Sequence, residues 1–104
     1  MTIHDEVVAG VAALAALDTD GIVGMASGGG FGDLLRRDAL WRGIRVQEGG
    51  NQGLRIDAYV VAAYGVHLPE VARQAARNIT QAMEEAVGVH PSRVTVHVAG
   101  IRIP

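Results

Sequence analysis

The chemistry available to this chain rests on four histidines, nine basic residues that are all arginine, and eleven carboxylates. None of His4, His67, His90 and His97 stands four residues from another, so no helical metal pair is encoded. Ser27 and Ser92 lie in no motif resembling a nucleophile elbow. The absence of lysine removes Schiff-base chemistry, a P-loop lysine and a lysine general base. The absence of cysteine removes disulfides, thiolate zinc sites and a thiol nucleophile. No set of nucleophile, base and orienting group can be assembled from what is left. The expectation is a protein without catalytic residues, metal or cofactor.

Four groupings could still carry chemistry. On a strand read by alternation, His97 falls on the polar face of a sheet, where Asp57 can reach it. Such a pair would respond to pH, but an ordinary exposed histidine is the better reading. His67 and His90 flank the second helix at turn positions and read as solvated caps. Trp41 and Tyr59 on an open sheet face have the form of a stacking platform for single-stranded RNA. A net charge of −2 and only two such aromatics argue against nucleic acid, and Asp57 and Glu48 interrupt Arg45 and Arg55. The run from Ser27 to Asp33 holds four glycines in seven residues and could cradle a phosphate. It has neither the G-x-G-x-x-G spacing nor a following Lys-Ser/Thr, so a connector is the better reading.

The 104 residues make one domain, 1–104, because two halves would each be too small to bury an adequate core. A hydrophobic content of 49% and a charged content of 19% place the chain among compact globules. Acidic Asp5 and Glu6 stand where a signal peptide would carry basic residues. The apolar run from Val7 to Leu17 is far below the roughly 20 residues that span a bilayer. Direct membrane insertion is therefore not expected.

The elements follow from periodicity. Residues 3–16 read as a helix, with Thr2 as N-cap and Asp5 and Glu6 at its positive end. Ile3, Val7, Val11 and Leu14 share one side of it, yet Val8, Ala9, Ala12, Ala13, Ala15 and Ala16 make the other side apolar as well. A helix without a polar stripe is covered on more than one side, by sheet and second helix or by an oligomer contact. Residues 22–26, 41–47, 54–64 and 93–103 read as strands, with Glu48 to Gly53 as a hairpin connection. Leu54, Ile56, Ala58 and Val60 share one face; Trp41, Arg45, Arg55, Asp57, Tyr59 and His97 share the polar one. Pro69 and Glu70 open a second helix to 87, and Gly88 closes it. A strand-helix-strand unit then makes the last strand parallel to the long one. The fold class is α+β: a two-layer sandwich, a mixed sheet of about four strands with two helices on one face, order α-β-β-β-α-β.

The order and spacing of these pieces carry a resemblance. They are the Ile3-x-x-x-Val7-Val8 helix with its alanine-rich continuation, Gly21-Ile22-Val23-Gly24-Met25, and Gly43-Ile44-Arg45-Val46 after a glycine-rich gap. Val60-Val61-Ala62-Ala63-Tyr64-Gly65, Leu68-Pro69-Glu70-Val71-Ala72, Gly88-Val89 and Val94-Thr95-Val96-His97-Val98-Ala99-Gly100-Ile101 follow. Over almost its whole length the chain resembles the bacterial alkaline shock proteins, also called cell-envelope stress response proteins. The resemblance implies a cytoplasmic protein without known catalysis that acts in stress response and cell-envelope homeostasis. It implies self-association and protein-protein contacts, with a protein partner able to hold the oligomer at the membrane. Some relatives are encoded beside dihydroxyacetone-kinase-like proteins, which gives an accessory role there as an alternative. A small-ligand or RNA binder using the open sheet face is the competing class. The absence of lysine is a departure from the family.

Two surfaces are expected to make contacts. Val8, Ala12 and Ala15 on the first helix are small enough for close approach of a second helix. Phe31, Leu34 and Leu35 give the glycine-rich segment apolar residues that a plain linker has no reason to carry, and Arg36 and Arg37 add charge.

Overall fold

A computed structural model describes residues 3–26 and 43–103. Helix α1 spans Ile3–Leu17, strand β1 Ile22–Met25, β2 Ile44–Glu48, β3 Leu54–Ala63, helix α2 Leu68–Ala82 and β4 Arg93–Arg102. A short 3-10 turn, Gly50–Gln52, joins β2 to β3, and one wide turn, Met83–Val87, continues α2 with π-helical bonding. The order is α-β-β-β-α-β and the class is α+β. Thr2 and Trp41 lie outside the described residues.

Strand β3 is the spine of the sheet. Its residues alternate between buried and half-buried along the whole length, which is the period-2 pattern of a strand with one covered face. β4 runs parallel to it from Arg55 to Ala63 and so occupies one entire edge. β1 and β2 must therefore share the other edge, and both are antiparallel to β3: β2 opposite Leu54 to Ala58, β1 opposite Val60 to Ala62. They lie end to end, as two pieces of one edge strand. Their inner ends meet at Tyr59: the Ala26 N–H donates to the Tyr59 carbonyl at 2.9 Å, and the Tyr59 N–H donates to the Gly43 carbonyl at 2.8 Å. Gly43 sits at φ +82°, and a Cβ there would lie 2.9 Å from the Tyr59 oxygen, so this junction requires glycine.

One residue is inserted on each side of β3 near Val61. Val23 is extra in β1 and Ala99 is extra in β4, leaving Gly24 and Gly100 both opposite Val61. Paired bulges at one level increase the local twist of the sheet.

Both helices lie on the covered face. Val8, Ala9, Ala12, Ala13 and Ala16 of α1 pack with Ile44, Ile56, Ala58 and Val60 of the sheet and with Ala75, Ile79 and Met83 from the α2 region. The alanines explain why α1 turns this side inward. A helix wedged against a sheet and a second helix must approach both closely, and only short side chains allow it. The C-terminus of α1 is tied by a polar clasp. Thr19, 2% exposed, donates from Oγ1 to the Ala15 carbonyl at 3.1 Å and accepts from Asn78 Nδ2 at 2.9 Å. α2 begins with His67 at the N-cap and a proline in its first turn, and its wide turn ends at Gly88 in the left-handed conformation.

Candidate functional site

The described residues of the open sheet face include an ordered side-chain cluster. Tyr59 of β3 and His97 of β4 are neighbours across a rung, and their rings stack with centroids 4.5 Å apart and planes inclined by 12°. Asp57, two residues before Tyr59, reaches diagonally to place Oδ1 2.9 Å from His97 Nε2. Ring plane and ring edge are thus both engaged, and the imidazole is fixed in orientation. The sequence favoured an ordinary exposed histidine at this position; the structure instead pairs His97 with Asp57 and stacks it on Tyr59.

A fixed His–Asp pair supplies two members of a hydrolytic triad, the third being a hydroxyl or thiol nucleophile. Among the described residues no hydroxyl is hydrogen-bonded to His97. The other three histidines also face carboxylates: His90 contacts Glu84, while His4 with Glu48 and His67 with Glu70 are each separated by 3.8 Å. Where the sequence suggested solvated caps, His67 and His90 are exposed and paired. The His67–Glu70 spacing of three residues was a usable signal for one of these pairs. Among the described residues no group of three or more His, Asp or Glu side chains could hold a metal ion.

A second feature lies between the two helices. A groove of about 600 Å³ is lined by the apolar Val11, Leu14, Ala15, Ala82 and Ala86 together with the polar Asp18, Asn78, Gln81 and Glu85. It continues into an apolar stripe on the outer side of α1, where Val7 is 54%, Leu14 69% and Leu17 44% exposed.

This stripe corrects part of the sequence-based assignment. Val8 and Ala12, expected as contacts to a second chain, are completely buried beneath the sheet layer and α2 and cannot touch a partner. Ala15 is half-buried and does line the groove. With both sides of α1 apolar, side-chain size decided which side went inward, and Val7 and Leu14 were left outside. Phe31, Leu34, Leu35, Arg36 and Arg37 lie outside the described residues, as does Trp41. Register places Arg45 opposite Asp57, Arg55 opposite Arg93 and Tyr59 opposite His97.

The sequence profile of the alkaline shock protein 23 family, described as having a cell envelope-related function, matches residues 1–103. The chain belongs to the alkaline shock protein family. A relative in Bacillus subtilis, the uncharacterised protein YloU, is 35% identical over 105 residues, covering 97% of this chain and 87% of its own. Spy1614 of Streptococcus pyogenes, also uncharacterised, is 30% identical over 105 residues, covering 97% and 86%. In three dimensions this alkaline shock family chain is similar to solved structures of the MamM CTD. One of these has a TM-score of 0.59 at 15% identity, covering 95% of this chain and 98% of that one. At that identity the likeness is one of fold. No described helix of this alkaline shock family protein is long and apolar enough to cross a membrane.

Proposed function

We propose that this alkaline shock family chain is a non-enzymatic interaction protein that works by self-association and is held at the cell envelope through a protein partner. The observation that carries the reading is the outer stripe of α1. Leu14 and its neighbours Val7 and Leu17 present large apolar side chains to solvent on a helix whose inner side already serves the core. Contiguous exposed apolar surface of this kind marks an interaction face. The family's cell envelope-related description supports the cellular setting.

A second copy of the chain is the occupant we assign to this face. The groove beside the stripe is lined by five apolar residues and by Asn78, Gln81 and the acidic Asp18 and Glu85. The segment holding Phe31, Leu34, Leu35, Arg36 and Arg37 has the complementary chemistry, apolar residues followed by two cations. Reciprocal exchange, each copy's segment in the other's groove, gives a closed two-fold assembly.

Sedimentation velocity at micromolar concentration tests this. The wild-type chain is expected to sediment as an oligomer, and Leu14→Glu, which changes an exposed side chain, is expected to give a folded monomer. A monomeric wild type, or an oligomer unaffected by Leu14→Glu, rejects the interface. Hydrogen exchange at residues 31–37 checks the other half: protection is expected in the oligomer and is expected to be lost in the Leu14→Glu monomer.

A further inference from the structure

The polar end of the open sheet face holds a feature the self-association reading does not use. A depression of about 260 Å³ is lined by Gln47, Arg55, Asp57, Arg93, Thr95 and His97. Its base is a single rung across the sheet, in which Gln47 of β2 stands opposite Arg55 of β3 and Arg55 opposite Arg93 of β4. Like charges directly opposite each other on neighbouring strands are destabilising, a cost that a sheet normally avoids. Among the described residues neither arginine forms an ion pair or a side-chain hydrogen bond that would offset it.

Arg55 adds a second and independent sign. Its Nε is fully buried and has no hydrogen-bond partner. A buried donor on a charged group without an acceptor is costly and uncommon in native structures. The nearby carboxylate does not relieve it, since Asp57 lies two residues along and its Oδ1 is engaged by His97 Nε2 at 2.9 Å. The sequence alone suggested that Asp57 would spoil any anion site around Arg45 and Arg55. The structure moves the relevant cations to Arg55 and Arg93 and turns Asp57 toward the histidine.

We propose that this depression binds a phosphate-class oxyanion, held by the guanidinium groups of Arg55 and Arg93, with the Gln47 amide and the Thr95 hydroxyl as neutral donors. Guanidinium groups bind phosphate oxygens through paired, charge-assisted hydrogen bonds. Two of them on one rung, with uncharged donors beside them, present convergent N–H and O–H groups to a tetrahedral ion. The volume is below the roughly 300–1,000 Å³ of pockets for drug-sized molecules, so the ligand is a small ion or a phosphate group carried on a larger molecule. The site is separate from the α1 stripe, which lies on the helical layer.

Titration of the full chain with inorganic phosphate at constant ionic strength, followed in ¹H–¹⁵N spectra, is the test. Saturable shifts are expected at the amides of Gln47, Arg55, Arg93 and Thr95. Arg55→Gln and Arg93→Gln are each expected to weaken binding about tenfold, the scale of one hydrogen bond to a charged group. Arg73→Gln, on the exposed surface of α2, is expected to leave binding unchanged. Arg93 is exposed, so its variant retains the fold even if Arg55→Gln does not. Leu14→Glu is expected to bind phosphate as the wild type does, which separates this proposal from the self-association reading. A second arm uses phosphatidylcholine vesicles with and without phosphatidic acid. Capture only by phosphatidic acid vesicles, lost in Arg93→Gln, identifies a lipid headgroup as the source, and binding of free phosphate alone identifies a soluble one. The proposal is overturned if neither binds, if the shifts do not saturate, or if Arg93→Gln binds as the wild type does.

Discussion

The two faces of the sheet obey different rules, although the same strands build them. On the covered face, Ile44, Ile56, Ala58 and Val60 meet Val8, Ala12, Ile79 and Met83 without exposed surface. Non-directional burial holds this layer, and any side chain of suitable size and polarity would serve. On the open face, Tyr59, His97 and Asp57 form a directional set, a ring stack and one hydrogen bond, that remains partly wet. Contacts of this second kind add little to stability. Their presence on a face with no core to build is therefore a better guide to what the molecule does than anything in the dry layer.

Substitution should separate the two faces. Ile79→Ala removes a fully buried side chain between helix and sheet and is expected to cost about 2–5 kcal/mol in denaturant unfolding. Equal stability of variant and wild type would mean that α2 does not seal the core. Gly43→Ala, at the junction of the two edge pieces, combines positive φ with a close approach to the Tyr59 oxygen and is expected to cost about 1–3 kcal/mol. His97→Ala lies at the other extreme. Its side chain is 39% exposed and its partner Asp57 is 23% exposed, so a change of about 0–1 kcal/mol is expected in the same measurement. A loss as large as that of Ile79→Ala would erase the distinction between the faces.

Much of this arrangement was legible in the sequence, and what was not has physical causes. Alternation in residues 54–60 and 93–98 fixed the inward set of β3 and β4, because a covered sheet face imposes a period of two. Gly88 and Pro69 marked the limits of the second helical segment through their backbone requirements. Alternation, however, carries no information about which edge a strand takes. The collinear placement of β1 and β2 was therefore invisible, as were the bulges at Val23 and Ala99. The rung that joins Arg93 to Arg55 depends on how the β3–α2–β4 crossover sets register, and this follows from packing rather than from local pattern. The inward side of α1 was misassigned because both sides are apolar, and hydrophobicity alone cannot break that tie.

The divided edge strand has a consequence for how the family can vary. Ala26 and Gly43 are both hydrogen-bonded to one residue, Tyr59. Whatever sequence lies between them starts and finishes at almost the same place, so its length is decoupled from the geometry of the domain. Doubling such a closed segment costs only about 0.6 kcal/mol in closure entropy. The fold thus contains a cassette position. Insertions or deletions between Ala26 and Gly43 are expected to leave the contacts of α1, α2 and the sheet in place.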